Sequence, residues 1–233
     1  MRDQNWVAVG LDFLIVVVGV FVGLQVQEWN EAREDRIAGR VALERLADDF
    51  VIISESLERS RAAHQRYLAA ATRLITMHRD GRIDEQALIA DTEIVTNAST
   101  PTPFSAVYQE LKSSGRLHLL SDRDLREALQ RYDDYTASVR ANLYHVIAEP
   151  LFRTRDRIMS MRSLKISEQA PTDFDELNRT EAINVEKFAS DAELQTLLQL
   201  TYVAHSNIYV VYYGMSAEAK KIQASIARAL DAG

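Results

Sequence analysis

Trp6-Val-Ala-Val-Gly-Leu-Asp-Phe-Leu-Ile-Val-Val-Val-Gly-Val-Phe-Val-Gly-Leu-Gln-Val26 is the stretch around which the rest of this sequence is organised. As a helix, a run of about 20 apolar residues crosses a hydrocarbon core of roughly 30 Å. Trp6 and Trp29 bracket the run, and indole rings favour the headgroup zone, so both are candidate membrane-interface anchors. Glu28, Asn30, Glu31, Arg33, Glu34, Asp35 and Arg36 then return the chain abruptly to water. A cleaved signal peptide would have a shorter apolar core and a small-residue cleavage site, and none follows Gly23. The pattern predicts a transmembrane helix over about residues 6–27. Residues 1–29 would form the tail and anchor, and residues 30–233 a soluble domain.

Inside the run, Gly19 and Gly23 form a G-x-x-x-G pair that lets two helix backbones approach closely. Asp12 lies seven residues before Gly19, and seven steps of about 100° return to nearly the same angle. Asp12, Gly19 and Gly23 therefore share a face. A carboxylate at membrane depth is costly unless neutralised, hydrated or paired, so this face is the candidate self-association surface. The other reading places Asp12 shallow enough to reach headgroups. Counting Lys and Arg alone, Arg33, Arg36, Arg40 and Arg45 against Arg2 favour a cytoplasmic domain.

Beyond the run, Leu43, Leu46, Phe50, Ile53, Leu57, Ser60, His64, Tyr67, Ala71, Leu74 and His78 recur at alternating spacings of three and four. That heptad seam predicts one long helix packed along a bundle or along another copy of itself. Arg79-Asp80-Gly81-Arg82 ends it. A second helix is expected over Asp84–Thr96, followed by the loop Ala98-Ser-Thr-Pro-Thr-Pro-Phe104. A short helix should end at Gly115, and Ser121 should cap the next, which runs toward His145; Pro150 permits a break or a kink before a continuation to about Arg162. Residues 163–180 read as a polar connection. Ser190 and Glu193 make a capping-box pattern opening a last helix that runs to about Leu230. The fold class is all-α: the N-terminal transmembrane helix continues into the long helix of an antiparallel bundle of about four long helices. With only 8 Gly and 4 Pro, the composition agrees.

The formal charge of −7 is the wrong sign for a protein that must neutralise phosphates, so no nucleic-acid partner is expected. Cysteine is absent, which removes disulfides, thiolate metal sites and cysteine nucleophiles. His64, His78, His118, His145 and His205 have no metal-ligand spacing, and no phosphate loop or nucleophile elbow occurs. Asp133-Asp134 and the acidic Asp173–Glu176 could bind a cation, but adjacent carboxylates on a helix point in different directions, so the first pair reads as solvated surface. No catalytic, cofactor or metal site is expected, and the chain does not read as an enzyme. Tyr202, His205, Tyr209 and Tyr212 or Tyr213 recur at helical spacing. Tyr202, His205, Tyr209 and Tyr213 are the candidate lining of a small-ligand pocket between helices; the plainer alternative is tyrosines filling the core with hydroxyls at its edge.

Two segments carry a family resemblance. Asp12-Phe-Leu-Ile-Val-Val-Val-Gly-Val-Phe-Val-Gly-Leu-Gln-Val-Gln-Glu-Trp-Asn-Glu-Ala-Arg-Glu-Asp-Arg36 resembles the N-terminal signature of the DUF6090-type family, uncharacterised bacterial single-pass membrane proteins. Tyr108-Gln-Glu-Leu-Lys-Ser-Ser-Gly-Arg-Leu-His-Leu-Leu-Ser-Asp-Arg-Asp-Leu-Arg126 is similar to their central helix–turn–helix. The resemblance implies an inner-membrane anchor and a helical domain on the extracytoplasmic side, and supplies no activity. This chain departs from the family in its N-terminal tail, which has only Arg2 where relatives are more basic. Against the local charge count, the extracytoplasmic placement is the one expected.

Three functions remain open on these readings. The first is a membrane-anchored, non-enzymatic scaffold or interaction protein, homo-oligomeric through its membrane helix, with the lipid bilayer and an unidentified membrane protein as partners. The second is a ligand-sensing or accessory bundle acting through a partner. The third is an oligomeric pore or ion-coupled assembly using Asp12.

Overall fold

A computed structural model describes the backbone of residues 6–143, 148–164 and 180–232; within these, the side chains of residues 6–13 and of residue 143 lie outside the described set. The chain is mostly helical. Its frame is a pair of long helices, α1 (Trp6–Asp80) and α7 (Ala192–Ala232), about 110 Å and about 60 Å long at 1.5 Å per residue. Between them lie α2 (Glu85–Ile94), α3 (Ala106–Ser113), a 3-10 turn (Leu117–Leu119), α4 (Arg123–Leu143), α5 (Glu149–Met159), β1 (Arg162–Leu164), β2 (Thr180–Ile183) and α6 (Val185–Ser190). Among the described residues these are the two longest helices, and α4, with 21 residues, comes next. The loop at Pro101 and Pro103, the left-handed Gly115 (φ +71°) and Pro150 at the start of α5 cut the middle of the chain into shorter pieces.

The heptad seam of α1 packs on α7, antiparallel, within one chain. His78 Nε2 lies 2.9 Å from the Asp191 carbonyl at one end, and Gln223 Nε2 donates to the Phe50 carbonyl at 2.9 Å toward the other. Leu46, Phe50, Ile53, Leu57, Ser60, His64, Ala71 and Leu74 are all buried, as the spacing predicts. Each fully buried leucine contributes about 2 kcal/mol by removal from water. Gly81, at φ +65°, ends α1 in the left-handed conformation that glycine adopts without strain.

The buried side chains form two clusters. One gathers Leu46, Phe50, Leu57, Leu111, Leu129 and Ile222; the other gathers Ala71, Leu74, Leu88, Ile158, Phe188 and Leu198. Between them runs a polar belt of Ser60, His64, Thr154, Thr201 and His205, all buried.

Three local expectations need correction. The connection over 163–180 holds strand pairing at its margins: Arg162 faces Ile183 and Ser163 faces Ala182 in an antiparallel pair, with an irregularity before Leu164. Ile183 anchors this pair in the second cluster. The caps at α4 and α7 are aspartates rather than the preceding serines. Asp122 Oδ1 accepts from Leu125 N, and Asp191 Oδ1 from Leu194 N, each at 3.0 Å. A carboxylate also meets the positive end of the helix dipole, while Ser190 donates back to the Glu186 carbonyl at the end of α6. Among the described residues three helices run to 21 residues or more, α1, α4 and α7, where about four long helices were expected.

From Leu14 to Ile37 every residue of α1 is exposed, and the helix continues through residues 29 and 30 without interruption. Packing begins at Ala38 and Gly39. This N-terminal arm carries Leu14, Ile15, Val16, Val17, Val18 and Phe21, each exposed. Among the described residues no helix is long and apolar enough to cross a membrane. The described apolar part of the arm, Leu14–Val26, is shorter than the roughly 20 residues a crossing takes, and the first eight residues of the predicted span lie outside the described side chains.

Candidate functional site: a buried histidine pair beside a cavity

The polar belt is built where α1, α7, α5 and the Pro101/Pro103 loop meet. His64 from α1 and His205 from α7 meet with their rings tilted by 53° and 5.2 Å between centroids, their Nδ1 atoms 3.0 Å apart. Tyr67 and Tyr212 close over the pair, with ring centroids 5.4 Å and 5.7 Å from that of His64. His205 Nε2 lies 2.8 Å from the Val95 carbonyl, which can only accept, so that nitrogen carries a hydrogen. With both rings neutral, His205 Nδ1 is then bare and His64 Nδ1–H donates to it. His64 Nε2 in turn accepts from the Ser99 N–H at 3.4 Å. The Ser99 carbonyl stands 3.0 Å from the same Nε2 and becomes its acceptor when His64 takes a second proton. Burial drives His64 down to about 4 against a partial upward pull from Ser99, and pushes His205 down as well. At neutral pH the pair is uncharged.

The belt extends on both sides. Ser99 Oγ donates to Ser60 Oγ at 3.1 Å, fixing the loop to α1. Thr154 of α5 bonds Thr201 Oγ1 at 2.7 Å and the Leu197 carbonyl at 3.1 Å, fixing α5 to α7.

Against His64 lies a cavity of about 290 Å³. Leu151, Phe152, Ile208 and Tyr212 supply apolar walls, and Thr96, Ser99 and Thr100 supply polar edges. Arg140 from α4 and Arg155 from α5 also line it. Arg155 donates to the Thr96 carbonyl at 3.1 Å, and its guanidinium is 5.9 Å from the Phe152 ring centre. The Arg140 guanidinium is 5.7 Å from the Phe104 ring centre. Among the described residues no carboxylate lines the cavity. Neither arginine forms an ion pair among the described residues; the other arginines of the two helices that do, Arg123 and Arg131 on α4 and Arg153 and Arg157 on α5, reach Glu127, Glu193 and Asp191.

Of the four residues chosen as pocket lining, only His205 lies in this buried belt, behind His64. Tyr202 and Tyr213 are exposed and Tyr209 is half-buried. Tyr209 and Tyr213 instead flank the Arg61 guanidinium, at 5.8 Å and 5.7 Å from its carbon. Arg61 also pairs with Glu58 at 2.6 Å; Lys220 and Ser216 bond the same carboxylate and hold it at about 2. Tyr212, the alternative to Tyr213 at the helical spacing, is the tyrosine that reaches the cavity, and burial raises it to about 12.

Gly19 and Gly23 lie on the exposed arm with open space around both, and Trp29 is exposed. The side chains of Trp6 and Asp12 lie outside the described residues. Asp133 receives Lys112 Nζ at 2.8 Å, and among the described residues no cluster of three histidine or acidic side chains could hold a metal. Residues 173–176 lie outside the described residues. The arginine, phenylalanine and threonine side chains of the cavity were missed. The available signal was the spacing Phe152, Arg155 on a short helix after Pro150, facing a proline-rich loop.

Comparison with family models, with curated proteins and with solved structures finds no match to this chain. The DUF6090-type resemblance therefore stands on its two motifs.

Proposed function

We propose that the chain is a membrane-anchored, non-enzymatic helical interaction protein whose arm enters the bilayer and whose bundle is held outside it. The observation that carries this reading is the arm itself. From Leu14 to Val26 it is apolar on all sides and touches no other part of the chain. Such a surface in water far exceeds the apolar patches that soluble monomers expose, and a uniform apolar surround suits it better than a one-sided partner. The Trp29 position and the charged residues after it fit a headgroup boundary. The inner-membrane, extracytoplasmic placement rests on the likeness of residues 12–36 to the DUF6090-type signature.

Self-association through the Gly19 and Gly23 face belongs to the same proposal. Its support is that both glycines are open to an approaching backbone. Two measurements test the proposal. In the full chain, Val18→Glu/Phe21→Glu should release the protein from membranes under a carbonate wash that leaves the natural chain bound; retention of the variant removes the anchor. Light scattering corrected for bound detergent should show an oligomer that Gly19→Ile/Gly23→Ile dissociates; a monomer in both removes the self-association.

A second reading, a ligand-sensing bundle acting through a partner, is favoured by one observation: the cavity beside His64 touches α1, α4, α5 and α7 together, the helices whose relative positions a ligand would have to change.

A further inference from the structure

We infer that the cavity between Arg140, Arg155, Phe152 and His64 is a receptor site for a small organic carboxylate with an apolar body. The inference rests on the ligand-sensing reading of the bundle and names its ligand.

Charge is the first argument. The chain is acidic, at −7, yet among the described residues this cavity is lined by two arginines and by no carboxylate. Other arginines of the bundle, such as Arg73 with Asp91 and Arg157 with Asp191, are matched to acids at 2.6 Å. Arg140 and Arg155 are held against aromatic rings and a carbonyl, which orient a guanidinium without neutralising it. A planar guanidinium presents paired N–H donors in the geometry a carboxylate accepts.

Shape and lining are the second argument. Leu151, Phe152, Ile208 and Tyr212 form walls suited to an aromatic or short aliphatic body, while Thr96, Ser99 and Thr100 add polar edges near the loop. A volume of about 290 Å³ is at the lower end for small-molecule pockets, which fits a ligand of about a dozen heavy atoms. The cavity also borders the loop carbonyl and N–H that His64 holds. A ligand seated there therefore touches the loop and α5 at once, and those are the two elements the polar belt ties to α1 and α7.

The test uses the full chain in nanodiscs, with empty nanodiscs as the blank. The probes are 2-naphthylacetate and octanoate as carboxylates, and 2-naphthylacetamide as a neutral match of the first. Equilibrium dialysis should show at least one carboxylate binding, and 2-naphthylacetate about ten-fold tighter than its amide. Arg155→Gln and Arg140→Gln should each remove most of that preference while leaving amide binding unchanged. Arg59→Gln, on the exposed face of α1, should leave both unchanged. Unaltered unfolding midpoints in the arginine variants would keep loss of binding distinct from loss of fold. Equal binding of acid and amide, indifferent to both arginines, overturns the carboxylate assignment and leaves a ligand site standing. Absence of binding by all three probes at millimolar concentration overturns the site and the ligand-sensing reading together.

Discussion

One helix, α1, lives under two different rules. From Ala38 to Asp80 a seam of residues recurs at three and four, and most of those positions are buried against α7 and the short helices, while Val41, Val51 and Ile52, off the seam, are exposed. From Leu14 to Val26 apolar residues occupy nearly every position, and none is buried by the chain. Periodicity records a partner on one side, whereas hydrophobicity without periodicity records a surround that is the same on all sides. The backbone does not register the change at all. It passes unbroken through residues 29 and 30, and packing starts at Gly39, where the first close neighbour arrives.

That contrast is broken most forcefully in the seam. Phe50→Ala removes a fully buried ring from the first cluster and should cost about 3–5 kcal/mol in bundle stability, measured by denaturant unfolding. A loss under 1 kcal/mol would mean that the seam does not carry the packing its burial describes.

Acid should act next most strongly, through the polar belt inside the seam. The folded state holds His64 at about 4, while the unfolded chain titrates near 6.5. The unfolded state therefore binds the proton first as pH falls. The stabilisation is complete above about pH 6.5 and is lost progressively toward pH 4, by about 2–3 kcal/mol at pH 4.5. Paired carboxylates such as Glu58, held at about 2, lose their stabilisation mainly below about pH 4.5, which leaves the upper window to the histidines. Unfolding midpoints followed from pH 7 to 4.5 should fall accordingly, and His64→Gln should flatten most of the slope. A flat profile in the natural chain would show that the pair is charged or solvated at neutral pH.

Gly39 marks the joint between the two parts of α1. A Cβ there would overlap the carbonyl oxygen of Leu119, on the 3-10 turn that lies against the helix. Overpacking of this kind costs about 1–3 kcal/mol, and the better helix propensity of alanine returns about 1 kcal/mol. Gly39→Ala should thus lower stability by about 1 kcal/mol, whereas Gly19→Ala, with open space around it, should not. Equal effects at both glycines would place the joint elsewhere.

These positions also show what could be read without coordinates. The seam was legible because burial on one helix face leaves a spacing in the sequence, and so were the stops at Gly81 and Gly115. The choice of Asp122 and Asp191 over the neighbouring serines was not, since either residue type caps a helix and one step of register decides. The hairpin was hidden because two short strands, with fifteen residues between them, carry almost no period. At the site, His64 was visible as a polar interruption of the seam, and His205 as one member of an aromatic stripe. Their meeting, 141 residues apart in sequence, depends on the antiparallel register of α1 and α7, which no local pattern encodes. The same holds for Arg140 and Arg155. What sets them apart is that no carboxylate among the described residues meets them, and that is a property of the assembled cavity.

The smallest expected effect completes the comparison. Val17→Ala and Leu24→Ala each remove apolar groups from an arm that touches no other part of the chain, so bundle unfolding should change by less than about 0.5 kcal/mol. The same truncation at Leu57, in the seam, should cost about 2–5 kcal/mol. The measurement is denaturant unfolding of the bundle in nanodiscs, followed by far-ultraviolet circular dichroism. A change above 1 kcal/mol at either arm position would mean that the arm is packed against protein, either this bundle or a second copy. Its apolar surface would then answer to a one-sided partner after all, and the distinction between the two parts of α1 would lie in who the partner is rather than in what surrounds it.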